Sequence, residues 1–324
     1  MPGFNREAKL SIIGAGNVGS HIAVYAAGKD LADIVLLDQN ADKARGTGLD
    51  ITQAMATANI DRVVKGTGDY ADTADSDVVV ITAGLARKPG MSRDDLLEAN
   101  AAIVRSVTRE AVKHSPDCVL VVVTNPVNTM AQLAYEISGF PSERVIGVSG
   151  VLDSARFKTF IAEELGIGAS RVDAMVLGDH GTEMVPLVDH CRVDGVPISE
   201  LMPQERIGAI VERVRHGGSE IVNLIKTGSA YYAPGTATVE VLDCILNDRQ
   251  VTLPCAVYLR QEYGVDGLYV GVPALIGARG VERVIQLHLS EAERKALEVS
   301  VKHIRERFDA LKANAPAEND NSRA

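Results

Sequence analysis

The chain has 324 residues, 46% of them hydrophobic, which suits two modest domains with proper cores and excludes a disordered or collagen-like polymer. With 33 Lys and Arg against 43 Asp and Glu the formal charge is -10, which argues against sequence-independent binding to nucleic acid or to an anionic membrane. An anionic ligand must then be caught by a local basic cluster.

Taken in chain order, the first half alternates short apolar runs with longer helix-compatible segments. The runs are "KLSIIGAG" (9–16), "DIVLLD" (33–38), "DVVVITAG" (77–84), "CVLVVVTNP" (118–126) and "RVIGVSG" (144–150). Each is rich in Val, Ile and Leu and ends in Gly, Asn-Pro or Asp, as strands buried on both faces do. The pattern predicts an α/β fold: a doubly wound parallel sheet, a Rossmann dinucleotide-binding domain, over 1–150. A mixed α+β substrate domain follows over 151–312, with amphipathic helices at 152–166 and 206–226 and strand and turn material at 172–189 and 267–277. The segment 290–313 reads as a terminal surface helix, and the small polar residues of 313–324 as a frayed tail.

No run of eighteen apolar residues occurs and the first ten residues lack a signal-peptide core, so a soluble, cytoplasmic protein is expected. Cys118, Cys191, Cys244 and Cys255 are widely spaced, with no C-x-x-C pair and no histidines clustered beside them. They read as buried free thiols, and no metal site is expected.

Gly14-Ala15-Gly16-Asn17-Val18-Gly19 follows the first predicted strand and opens a helix. Glycines there allow a tight turn, backbone approach to a pyrophosphate and close packing of helix on strand. The bare fingerprint is a weak signal, and FAD uses it too. Here Asp38 closes the second strand about twenty residues on, where a carboxylate binds ribose hydroxyls and repels a 2′-phosphate, which favours NAD over NADP.

Asp153 and Arg156 stand three apart in "LDSAR", on one face of a helix; alone they would pass for a surface ion pair. His180, in "LGDHGTEMVPL", is framed by a turn after an apolar run. Together they fit alcohol oxidation by hydride transfer: histidine takes the hydroxyl proton, Asp153 holds its tautomer, and Arg156 forks a substrate carboxylate. In "GLARKPGMSR" (84–93), Arg87 and Arg93 flank a segment whose Gly84 and Gly90 suggest the hinges of a lid. Arg93 would polarise a carbonyl and Arg87 would pair with a second carboxylate; the plain alternative is a solvated basic loop.

The chain resembles the lactate/malate dehydrogenase superfamily, most closely its lactate-dehydrogenase-like malate dehydrogenases. "GAGNVG", "VLLD", "ITAGLARKPGMSRDDLLEAN", "VTNPVN", "GVLDSARF", "GDHG", "MVPL", "KTGSAYYAPG" and "GVPALIGARGVER" occur in the family's order from about residue 8 to about residue 312. The resemblance implies His180 as proton acceptor with Asp153 as its partner, Arg156 on the C1 carboxylate and Arg93 on the reacting oxygen. It also implies Asn125 touching nicotinamide ribose and substrate, Asn100 as a further cofactor contact, and Ser229 beside the substrate side chain. Arg87 falls where lactate dehydrogenases commonly have glutamine and malate dehydrogenases arginine, which implies a dicarboxylate substrate, malate or oxaloacetate, with NAD as cofactor. A homo-oligomer is implied, a tetramer with a dimer as alternative. Two other functions stay open: a lactate or broad 2-hydroxyacid dehydrogenase, and a non-catalytic NAD(H)-binding sensor. One departure stands out: after this histidine many members read Gly-Asp, whereas here Gly181 is followed by Thr182 and Glu183.

Overall fold

The computed structural model describes residues 8–85 and 93–314, and of Arg93 only the backbone. The expectations on the first seven residues, on Arg87 and Gly90, and on the tail beyond 314 lie outside the described residues. The first half runs β1 (Lys9–Ile13), α1 (Asn17–Gly28), β2 (Asp33–Leu37), α2 (Ala41–Thr57), β3 (Val64–Thr67), β4 (Val78–Ile81), α3 (Arg93–His114), β5 (Val119–Val122), α4 (Val127–Ser138) and β6 (Val145–Gly147). These strands pair in parallel in the order β3-β2-β1-β4-β5-β6. The chain therefore starts mid-sheet and winds outward both ways, leaving a switch point between β1 and β4. Sheets of this kind bind ligands in the crevice beyond the strand C-termini at that point.

β4 illustrates why these residues form this sheet. Val78, Val79, Val80 and Ile81 are all fully buried. Side chains alternate across the sheet, so Val78 and Val80 join Ile22 and Ala26 of α1 on one face. Val79 and Ile81 join Val104 and Ala111 of α3 on the other. A continuous β-branched run is what a strand covered by helices on both faces requires.

The second half runs α5 (Gly150–Leu165), β7 (Val172–Asp173), β8 (Val176–Gly178), β9 (Met184–Pro186), β10 (Arg192–Val193), β11 (Val196–Pro197), α6 (Ile198–Leu201), α7 (Gln204–Ile225), α8 (Tyr232–Leu246), β12 (Val251–Arg260), β13 (Asp266–Gly277), β14 (Gly280–Val284) and α9 (Glu291–Asn314). The antiparallel β12–β13 ladder extends the parallel sheet: Ala256 of β12 pairs with Gly147 of β6, and Gly271 of β13 pairs with Gly178 of β8. The strand that ends just before His180 is thus anchored to the same sheet whose strand ends form that crevice. Among the described residues, no helix is long and apolar enough to cross a membrane.

The five expected strands of the first half are present as β1, β2, β4, β5 and β6, each trimmed at its ends. β3 has no counterpart in the sequence reading, because this edge strand buries only Val64 and Thr67 and exposes Lys65. α8 and β12 were likewise not singled out. Pro234 and Gly235 disguise the start of α8, although proline is tolerated in a first turn, where its missing N–H has no partner to lose. The C-terminal helix is more than a surface element: α9 buries Leu297, Ser300, Ile304, Phe308 and Leu311.

Candidate active site

The glycine turn lies at the C-terminal end of β1. Gly14 has φ +114°, and a Cβ there would lie 2.7 Å from Thr82 Oγ1. A Cβ on Gly19 would lie 1.9 Å from the Gly14 carbonyl oxygen, so α1 can approach the turn only without one. Gly16 differs, with nothing within 4 Å of its Cβ position, which leaves open space for a pyrophosphate. Asn17 and Val18 form the first turn of α1, whose unpaired N–H groups favour negative charge. Asp38 directly follows β2, and its Oδ2 accepts a hydrogen bond from Ala15 N at 2.8 Å while Oδ1 accepts from Asn40 N at 2.9 Å. A carboxylate thus fixed beside the glycine turn fits the ribose of NAD.

The acid–base cluster is built from α5 and the turn after β8. Asp153 lies in the first turn of α5 and is only 1% exposed. Its Oδ2 is 2.7 Å from His180 Nδ1, and its Oδ1 accepts from Arg156 Nη1 at 3.1 Å. One carboxylate therefore bridges both candidate groups, so the surface-pair alternative for Asp153 and Arg156 falls. The Arg156 Nε is enclosed on the α7 side, with no hydrogen-bond partner among the described residues. Room for its side chain comes from Gly217 in α7, where a Cβ would lie 3.1 Å from Arg156 Cδ. Burial pulls the His180 pKa down and Arg156 adds to that. The charge and hydrogen bond of Asp153, helped by Asp179, outweigh both, so the net shift is upward.

The remaining predicted residues are placed as follows. Asn125 is exposed at the end of β5, before a cis bond to Pro126. Asn100 is 2% exposed and turned on the protein itself: its Oδ1 accepts from Leu85 N at 2.7 Å, and its Nδ2 donates to the Asn125 carbonyl at 2.8 Å. Asn100 is thus bonded on both sides of its amide to the protein, next to Asn125. Ser229 sits in the exposed connection between α7 and α8, outside the hydrogen-bonded cluster. Arg93 is the first residue of α3. Gly84 is closely packed, a Cβ there lying 2.7 Å from Thr124 Cγ2.

Two family models cover the chain in succession: lactate/malate dehydrogenase, NAD binding domain, over residues 8–147, and lactate/malate dehydrogenase, alpha/beta C-terminal domain, over residues 150–315. The chain belongs to the lactate/malate dehydrogenase family. It is 52% identical over 303 residues to the malate dehydrogenase of Bacillus subtilis (strain 168), covering 93% of this chain and 97% of that one. Against the malate dehydrogenase of Geobacillus kaustophilus (strain HTA426) it is 51% identical over 302 residues, with the same coverage. Among solved structures, Salinibacter ruber malate dehydrogenase matches with a TM-score of 0.90 at 45% identity, covering 94% of this chain and 98% of that one. Cryptosporidium parvum lactate dehydrogenase, complexed with lactic acid and nicotinamide adenine dinucleotide, matches with a TM-score of 0.93 at 40% identity, covering 96% and 99%.

Within this lactate/malate dehydrogenase scaffold, two supporting residues escaped the sequence reading. The Ser154 hydroxyl accepts from Val176 N at 2.9 Å, tying α5 to β8 and so setting Asp153 against His180. Asn128 Oδ1 accepts from His180 N at 3.1 Å. Asn128 is fully buried in α4 with Thr129 and Gln132 as buried polar neighbours, so no local pattern singled it out.

Proposed function

We propose that the protein is an NAD-dependent dehydrogenase that interconverts (S)-malate and oxaloacetate, with His180 as general acid and base. The observation that carries the chemistry is the 2.7 Å contact between His180 Nδ1 and Asp153. It commits the Nδ1 proton to the carboxylate and leaves the Nε2 lone pair to take the substrate hydroxyl proton. Bound NAD supplies the acceptor for the hydride released from C2. Asp38 orients the cofactor through its ribose hydroxyls.

Arg156 holds the C1 carboxylate, as the family resemblance implies, and its Nη1 bond to Asp153 keeps the guanidinium beside His180. The family resemblance adds Arg93 on the reacting oxygen, Arg87 on the distal carboxylate, Asn125 on nicotinamide ribose and substrate, and Ser229 beside the substrate side chain. We place Asn100 one step back, holding Asn125 and Leu85. The malate reading over a lactate one rests on Arg87 and on the curated relatives named malate dehydrogenase. A homo-tetramer is the assembly proposed. Exposed apolar side chains at the junction of α7 and α8, Leu224 and Tyr232 among them, are compatible with subunit contact.

His180→Asn tests the chemical assignment. Turnover of oxaloacetate is expected to fall by roughly 10² to 10⁴-fold. NADH binding, followed by the fluorescence of NADH because the chain has no tryptophan, is expected to stay unchanged. Near-normal turnover in this variant would move the base elsewhere. At Asp38, replacement by alanine is expected to erode the preference for NADH over NADPH, and an intact preference would remove the ribose assignment.

A further inference from the structure

The turn that carries His180 is gripped by groups that the reaction described above does not use. Gly178 ends β8 with φ +85°, and a Cβ there would lie 2.4 Å from Ser300 Oγ, so α9 comes into direct contact with the strand end. Asp179 N donates to Ser300 Oγ at 2.8 Å. The Asp179 carboxylate, 3% exposed, accepts from Arg307 Nη1 with both oxygens, at 3.0 and 3.1 Å. On the opposite side Asn128 accepts from His180 N and donates through Nδ2 to the Gly178 and Tyr269 carbonyls. Ser300 and Arg307 are two helical turns apart and share one face of α9.

We propose that Ser300 and Arg307 of α9 are positioning residues for His180, fixing the turn 178–181 so that the imidazole meets Asp153 and substrate together. The proposal rests on the reading of His180 as the acid and base. Arg307 also balances the charge next to that group. The ionisable neighbours of the imidazole are Asp153 and Arg156 from α5, Asp179 on its own turn, and Arg307 behind Asp179. Glu183 lies further along, 3.9 Å from His303 of α9. Removing Arg307 leaves the buried Asp179 carboxylate without its partner, beside a histidine whose cationic form it favours. A purely structural salt bridge would change stability and leave the titration of the base alone.

The test uses the full chain with Arg307→Met, Arg307→Lys and Ser300→Ala, measuring kcat, KM for oxaloacetate, NADH affinity and the pH profile of kcat/KM. Arg307→Met is expected to lower kcat roughly tenfold with NADH affinity unchanged, because a small misplacement of the base is costly. Its fall in oxaloacetate reduction at high pH is expected to move upward by about half a unit or more. Arg307→Lys restores the profile, and Ser300→Ala lowers kcat without moving it. Wild-type kcat and profile in both Arg307→Met and Ser300→Ala, with only a lower Tm, would overturn the proposal. If Arg307→Met does not fold, the Asp179→Asn/Arg307→Met pair, neutral at both positions, carries the test: reduced kcat at unchanged NADH affinity supports the proposal, and wild-type kcat overturns it. Indifference to His180→Asn would instead remove the base and this proposal together, a pattern distinct from indifference to Arg307 alone.

Discussion

At the scale of single residues, the His180 imidazole sits between opposed influences. Burial and Arg156 disfavour its cation, while Asp153 favours it strongly enough to lift the pKa above the ordinary histidine value. The sign for each direction follows. Reduction of oxaloacetate needs the protonated ring, so kcat/KM falls as pH rises through the raised value. Malate oxidation needs the neutral ring and rises over the same interval. Asp153→Asn removes the strongest favourable neighbour, and initial rates in both directions are expected to show both profiles displaced toward lower pH, with turnover also reduced. Profiles that keep their position would mean that Asp153 does not govern the base. His180, Asp153 and Arg156 could be proposed from the sequence because hydride transfer calls for such groups, and the structure brings the three side chains together. Ser154, Asn128 and Ser300 could not, because a buried serine or asparagine acquires its role only from the element packed against it.

At the scale of elements, α9 shows how much a helix's charge pattern conceals. Its many Glu–Lys and Glu–Arg spacings read as a surface helix, yet one face is apolar and meets the catalytic turn. Its start is legible in principle, since Ser290 and Glu293 form a capping box. Ser290 N donates to Glu293 Oε2 at 3.0 Å, Glu293 N donates to Ser290 Oγ at 3.4 Å, and Asp189 N donates to Glu293 Oε1 at 3.3 Å. Glu293→Ala leaves backbone donors without a partner and is expected to cost about 1–2 kcal/mol in urea unfolding. A loss within experimental error would show that the box is dispensable. The first-half strands were readable because burial on both faces leaves a local mark, whereas β3, at the edge, carries a weaker one.

At the scale of the whole molecule, the parallel half is specified by local runs, while the second half depends on pairings between segments far apart in the chain, such as Ala256 with Gly147 and Gly271 with Gly178. No window of sequence contains those contacts, which is why β12 went unmarked. All four cysteines are buried, Cys244 and Cys255 in one apolar cluster, Cys118 in a second and Cys191 in a third. Burial pushes the Cys118 and Cys191 thiols up to about 12 and Cys244 to about 11, with Cys255 raised as well. Native protein at neutral pH is therefore expected to resist alkylation, with all four thiols reacting after denaturation; rapid labelling of the native state would contradict the packing described. NADH consumption with oxaloacetate and, in parallel, with pyruvate at matched concentration decides whether the protein turns over the proposed substrate and cofactor pair. Oxaloacetate is expected to be preferred roughly a hundredfold or more, since pyruvate would leave Arg87, proposed for the distal carboxylate, without a partner. Equal or greater turnover of pyruvate, or none of either, would contradict it.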